Sequence, residues 1–279
     1  MLQQLMHRQE KKCQNYSSVR YFGRYFGIEC LRMVHSASSY ITILAIAITL
    51  RIVACLANPG SSILDQLYLC SYLSVFIIVF AVAGIGNGNA LRLHAQHRFH
   101  VALVQRGKIQ PYIAAVVCAN YVVTILYMVL GGILFALSYG GTLPLIDFTG
   151  SLGHVFLKAS VWQHIVDAGY LRFTYFMQLV WFGLLAGILS TCSLYLSYRV
   201  RNQMFSIVFP SACFYGIVTY LNQFESQLYM FQPYNLFISS NRIWESAAIS
   251  IIWDLGICAL VVVLFERLIY WRVKKDLER

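Results

Sequence analysis

Six long apolar runs set the limits on what this chain can become. They cover residues 40–57, 67–85, 112–137, 173–196, 205–221 and 247–269. A helix needs roughly 20 mostly apolar residues to cross about 30 Å of hydrocarbon, and each run is at or near that length. The fifth is short and holds Pro210, and the third is long enough to tilt or to extend past the bilayer. Only 11% of the 279 residues are charged, against about 25% in a typical soluble domain. Too few charges remain to cover a soluble surface of this size. The expectation is an all-α, polytopic integral membrane protein with six transmembrane helices. Residues 1–39 form a cytosolic N-terminus, and 40–279 form the membrane domain. The first apolar run lies behind a long basic segment, which argues against a cleaved signal peptide.

Lys and Arg give the orientation. Seventeen of the 21 fall in the N-terminal segment, the 86–111 loop, the 197–204 loop and the C-terminal end, and three fall on the other side. Basic residues favour cytoplasmic loops. Both termini are therefore expected in the cytosol of a multi-pass protein of the cell membrane. An even number of spans requires the same. The net charge of +10 then belongs beside anionic lipid rather than nucleic acid.

Before the first span, Val19, Phe22, Phe26, Cys30 and Met33 share one helical stripe, with Arg20, Arg24 and Arg32 on the other side. Such a pattern suits a helix in the membrane interface. Its candidate contacts are Phe22, Arg24 and Phe26, and Gly23 and Gly27 weaken it by about 1 kcal/mol each. Two charges lie inside spans, Arg51 in the first and Asp254 in the sixth. Counted at 1.5 Å per residue, both sit roughly 10 Å below the same boundary. A lone charge mid-span costs about 2.5–3.5 kcal/mol on insertion scales. Matched depth and opposite sign suggest an ion pair, with independent snorkelling as the alternative. The aromatic stretch 222–246 suggests an interfacial or re-entrant hairpin before the last span.

The loop segment NALRLHAQHRFHVALVQRGK, residues 89–108, carries His94, His97 and His100 among Arg92, Arg98, Arg106 and Lys108. Steps of three residues on a helix drift by about 60° each, which splits the histidines apart. No Cys lies nearby and no H-E-x-x-H occurs, so zinc is disfavoured. The eight cysteines form no CxxC pair, and no metal site is expected. Four cations and one aromatic, Phe99, also make a poor nucleic-acid surface. A cytosolic helix between two spans is the better expectation, broken by Gly107 and Pro111. It would offer a handle for a partner protein.

This order of elements resembles the membrane subunit of a type-2 ABC transporter, the ABC-2 permease class. Its most specific part runs from HAQHRFHVALVQRGKIQPYIAAVVCANYVV through the third span. The resemblance implies that 90–106 is the coupling helix, with Arg92, His94, His97, Arg98, Phe99 and Arg106 facing a separate P-loop ATPase. It makes 19–33 the interfacial helix and 222–246 the re-entrant segment. The working unit would hold two permeases, as a homo- or heterodimer, and two ATPases. The permease itself would be no enzyme and carry no catalytic residue or cofactor, since ATP and Mg would bind the partner. No G-x-x-x-x-G-K-[ST] loop occurs in this chain. A polytopic receptor or channel is the competing class. An intramembrane enzyme is a third, but no acid–base or nucleophile set converges.

Overall fold

The computed structural model describes residues 19–57, 60–96, 109–147, 160–200, 202–221, 234–238, 244 and 246–277, and these are helical with no strand among them. The helices are α1 (19–34), α2 (Ala37–Leu56), α3 (Ile63–Tyr72), α4 (Ile77–Ala83), α5 (Ala90–Gln96), α6 (Ile109–Leu137), α7 (Gln163–Asp167), α8 (Leu171–Arg199), α9 (Gln203–Leu221) and α10 (Ala247–Leu277). A 3-10 turn, Ser74–Phe76, leads into α4, and a π turn, Tyr234–Ile238, precedes α10. Five of them are long and apolar enough to cross a bilayer: α2, α6, α8, α9 and α10.

The second expected span differs. The apolar run 67–85 is not one straight helix, because α3 and the Ser74–Ala83 helix meet at 94°. The cause is local. Ser62 caps α3 by accepting from the Asp65 amide at 3.1 Å, and the carbonyls of Pro144 and Leu145 accept from the Ile63 and Leu64 amides. These bonds hold the start of α3 against the segment after α6, satisfying amides that a helix N-terminus leaves open. Leu73 then adopts an extended backbone, φ −77° and ψ 135°, and ends the helix. Beyond it the chain turns alongside α8, and after Ala83 a hydrogen-bonded turn over 84–89 leads on to α5.

Packing fixes the directions. Gly132 faces Leu179 and Gly187 faces Tyr121, so α6 and α8 are antiparallel. Phe76 meets Phe182 edge-on and Gly88 approaches Ser193, so the α4–α5 stretch runs parallel to α8. Phe80 meets Phe214 and Gly84 approaches Ile207, which makes α9 antiparallel to both. Trp181 meets Asp254 and Tyr195 meets Phe265, so α10 follows α8. The core is built around α6 and α8, with Val116, Val117, Val123, Phe135, Leu179 and Phe182 almost fully buried.

The α1 stripe is covered only in part: Met33 is buried, and Val19 at its start is exposed. Phe22 and Phe26 stack at 5.9 Å and are half-buried, while Arg24 is exposed. Tyr25 meets Tyr112 of α6 edge-on at 5.7 Å. The centre of the buried face is Glu29, 5% exposed and bridged to Arg32 at 2.6 Å. Burial pushes its carboxyl up, and Arg32 pulls it partly back.

Candidate functional site

The interrupted second span brings together a polar centre that apolar patterning gives no sign of. Its backbone is the sequence GIGNGN, residues 84–89. Irregular backbone is tolerated at membrane depth only where protein buries it or a wet cavity meets it. Here α2, α6 and α8 bury it. Ser38 Oγ donates to the Gly86 carbonyl at 3.2 Å. Asn87 Nδ2 donates to Tyr127 Oη at 3.1 Å, and the same Oη lies 2.5 Å from Ser39 Oγ. Ser39 in turn donates to the Met33 carbonyl. One hydroxyl on α6 thus ties the end of α1, the start of α2 and the turn after α4. The approach is close enough to demand glycine: a Cβ on Gly86 would lie 2.7 Å from the Tyr127 ring and 3.1 Å from Thr42 Oγ1.

One turn further along α8, Ser190 Oγ donates to Asn120 Oδ1 of α6 at 3.1 Å. Four buried polar atoms around these contacts have no protein partner: both amide atoms of Asn89, Asn120 Nδ2 and Thr42 Oγ1. A buried donor or acceptor left unmade costs about 1–3 kcal/mol. The centre carries no charged side chain in these contacts. It is therefore suited to water or to a neutral polar solute, and to a helix break that can move.

A second network lies toward the other end of the bundle. Gln178 of α8 accepts from Tyr68 Oη at 3.1 Å and from Trp162 Nε1 at 3.3 Å, and donates to the Ile238 carbonyl at 3.0 Å. It ties α3, the segment before α7 and the π turn to one buried amide. Trp162 packs edge-on against Trp181 at 4.7 Å. Trp181 Nε1 donates to Asp254 Oδ2 at 3.2 Å, while Oδ1 has no partner. Leu236, Phe237 and Ile238 are buried, which places part of the expected re-entrant stretch inside the bundle.

Arg51 and Asp254 do not form the expected ion pair. The Arg51 guanidinium sits over the Tyr139 ring, 4.1 Å from its centroid. Asp254 is fully buried against α8. Matched depth was the only information in the sequence, and the azimuth of each side chain on its helix decided the partners. Among the six coupling residues, Arg92 lies half-buried on α5 and His94 lies on the same helix. His97, Arg98, Phe99 and Arg106 fall outside the described residues. Since Ala90 and Leu91 are buried and α5 packs on α8, the start of the expected coupling helix belongs to the bundle. It is not a free loop.

Gly86, Asn87, Asn89, Asn120, Gln178 and Trp181 escaped the sequence reading. The signal for the first three was present, as three glycines and two asparagines directly after an apolar run. A helix interrupted by glycine within a span is a pointer to a binding site. No family model, no curated protein and no solved structure matches this chain, so what it does rests on its own geometry.

Proposed function

We propose that this chain is the permease subunit of an ATP-driven exporter of the ABC-2 class. In this reading it forms the path through the membrane and breaks no bonds itself. The observation that carries the proposal is the continuity between the polar centre and the docking segment. The GIGNGN turn leads directly into α5, which carries Arg92 and His94. A push on this segment from a cytosolic ATPase would act on the turn that joins α4 to α5. Asn87 and Gly86 would then shift against Tyr127 and Ser38, altering access to the unpartnered amides. Energy enters only as the difference in the partner's affinity for the two arrangements.

Both termini face the cytosol, 17 basic residues line that side, and a second copy completes the path. The exposed apolar face of α10, with Ile252, Leu260 and Val263, is available for that copy or for lipid. The test is purification of the tagged full chain from its native membrane. An associated P-loop ATPase, lost when Arg98 and Arg106 are both changed to Glu, is the expected result. If no ATPase is recovered after mild crosslinking, the proposal fails. A channel or receptor that gates at the same polar centre would then take its place.

A further inference from the structure

The bend between α3 and α4 opens a cavity of about 270 Å³ against α9. Its floor is aromatic, with Phe76, Phe80 and Phe214 each at least nine-tenths buried. One wall carries the hydroxyls of Ser71, Ser74, Tyr215 and Thr219. The cavity opens outward at the exposed lining residues Ser74, Tyr215 and Thr219, and Val75, Ile78 and Ile217, nearby in the chain, are apolar and exposed. In a bundle that spans a membrane such a mouth meets lipid, so a molecule dissolved in the bilayer reaches it directly.

The hydroxyl wall restricts the chemistry of the occupant. Ser71 Oγ donates to the Tyr68 carbonyl at 2.7 Å, and Thr219 Oγ1 donates to the Tyr215 carbonyl at 2.9 Å. Tyr215 Oη and Ser74 Oγ share one proton between them at 2.9 Å. Each hydroxyl has one proton and two lone pairs, so three of four protons are committed and acceptor capacity is in excess. A single donor remains. The complementary group gives one hydrogen bond and can accept another, as an alcohol does. Among the described residues no Lys, Arg, Asp or Glu lines the cavity, so none of them balances the charge of a phosphate or an ammonium.

We infer that the cavity between the α3–α4 bend and α9 binds one neutral, hydroxyl-bearing amphiphile from the bilayer, such as a sterol or long-chain alcohol. Its apolar body lies on the three phenylalanines and its hydroxyl meets Ser74 and Thr219. The inference rests on the membrane-spanning bundle and not on an ATPase partner, so either can fail without the other.

The test is photolabelling of the purified full chain in phosphatidylcholine vesicles with a diazirine-bearing long-chain alcohol, followed by peptide mapping. Labelling is expected to concentrate on residues 74–80 and 214–219. An excess of unlabelled alcohol should remove it there but not from the exposed face of α10. The matched diazirine alkane, which lacks the hydroxyl, should show no competed labelling. Ser74→Ala together with Thr219→Val should lose the competed fraction; both residues are solvent- or lipid-exposed, and the unmodified chain already supplies the competition readout. Uncompeted labelling spread evenly over α9 and α10 would overturn the inference. So would equal focusing of the alkane, which means a crevice filled by lipid chains only.

Discussion

Helices α8 and α10 are nearly equal in length, at 29 and 31 residues, and both are apolar enough to cross a membrane. Yet 72% of the apolar window of α8 is buried inside the bundle, against 17% for α10. Hydrophobicity therefore does not decide which helix becomes the core. Lipid tails are as apolar as leucine, so the drive to pack comes from close approach and from hydrogen bonds between helices. The α8 sequence supplies both. Gly183 and Gly187 let α6 come close, and Gln178 and Ser190 carry polar contacts to other segments. The α10 surface shows Ile249, Ile252, Leu255, Leu260, Val263 and Leu268 to its surroundings, which gain as much from lipid as from protein.

Truncating matched residues on the two helices should widen this contrast most. Phe182→Ala, at a fully buried site edge-on to Phe76, should lose about 3 kcal/mol. That is the low end for such changes, because the side chain leaves lipid rather than water on folding. Ile252→Ala, at an exposed site on α10, should leave the melting temperature in detergent unchanged. Equal losses would erase the distinction.

Adding volume probes the same contrast from the other direction. A Cβ on Gly187 would lie 2.7 Å from the Tyr121 ring, whereas nothing lies within 4 Å of one on Gly256. Gly187→Leu should cost about 1–3 kcal/mol by overpacking, read as loss of the monodisperse peak in size-exclusion chromatography. Gly256→Leu should elute as the parent does, unless a second copy covers α10 at that point. An oligomer lost only in Gly256→Leu would show that α10 faces protein.

A buried polar tie between the two helices is the Trp181–Asp254 hydrogen bond. Trp181→Phe leaves both carboxyl oxygens without a protein partner and should cost about 1–3 kcal/mol, measured by thermal unfolding. A neutral outcome would mean that the tie does not hold α10 in place.

The smallest expected effect concerns α1. Its buried Glu29 has a carboxyl pushed up from 4.5, so the folded chain binds this proton more tightly than the unfolded one. Stability from this group is full below the ordinary value and declines as pH rises through the raised one. Glu29→Gln should flatten that decline in a melting-temperature series across the acidic range. A slope unchanged in the variant would assign the effect to another group.

Much of this fold can be read from residue types alone, because a membrane helix needs little beyond length and apolarity. The boundaries of α6 and α8 extend the apolar runs by two or three residues, to Ile109 and Arg199, and α10 runs on well past its apolar run to Leu277. The aromatic residues of the α1 stripe, Phe22 and Phe26, are half-buried. The polar centre was hidden because hydropathy averages over a window. Asn120 and Thr124 vanish inside the run 112–137, and the GIGNGN turn looks like the start of a loop.

By itself the sequence determined the all-helical class and the number of long apolar helices to within one. These depend on local composition and on the period of the helix. Only the tertiary structure decided that the second apolar run bends by 94° at Leu73, that Arg51 belongs to Tyr139 and Asp254 to Trp181, and that α8 rather than α10 is the core. The physical reason is common to all three. Depth along a helix can be counted in residues, but its rotation and its neighbours are set by contacts between segments far apart in the chain.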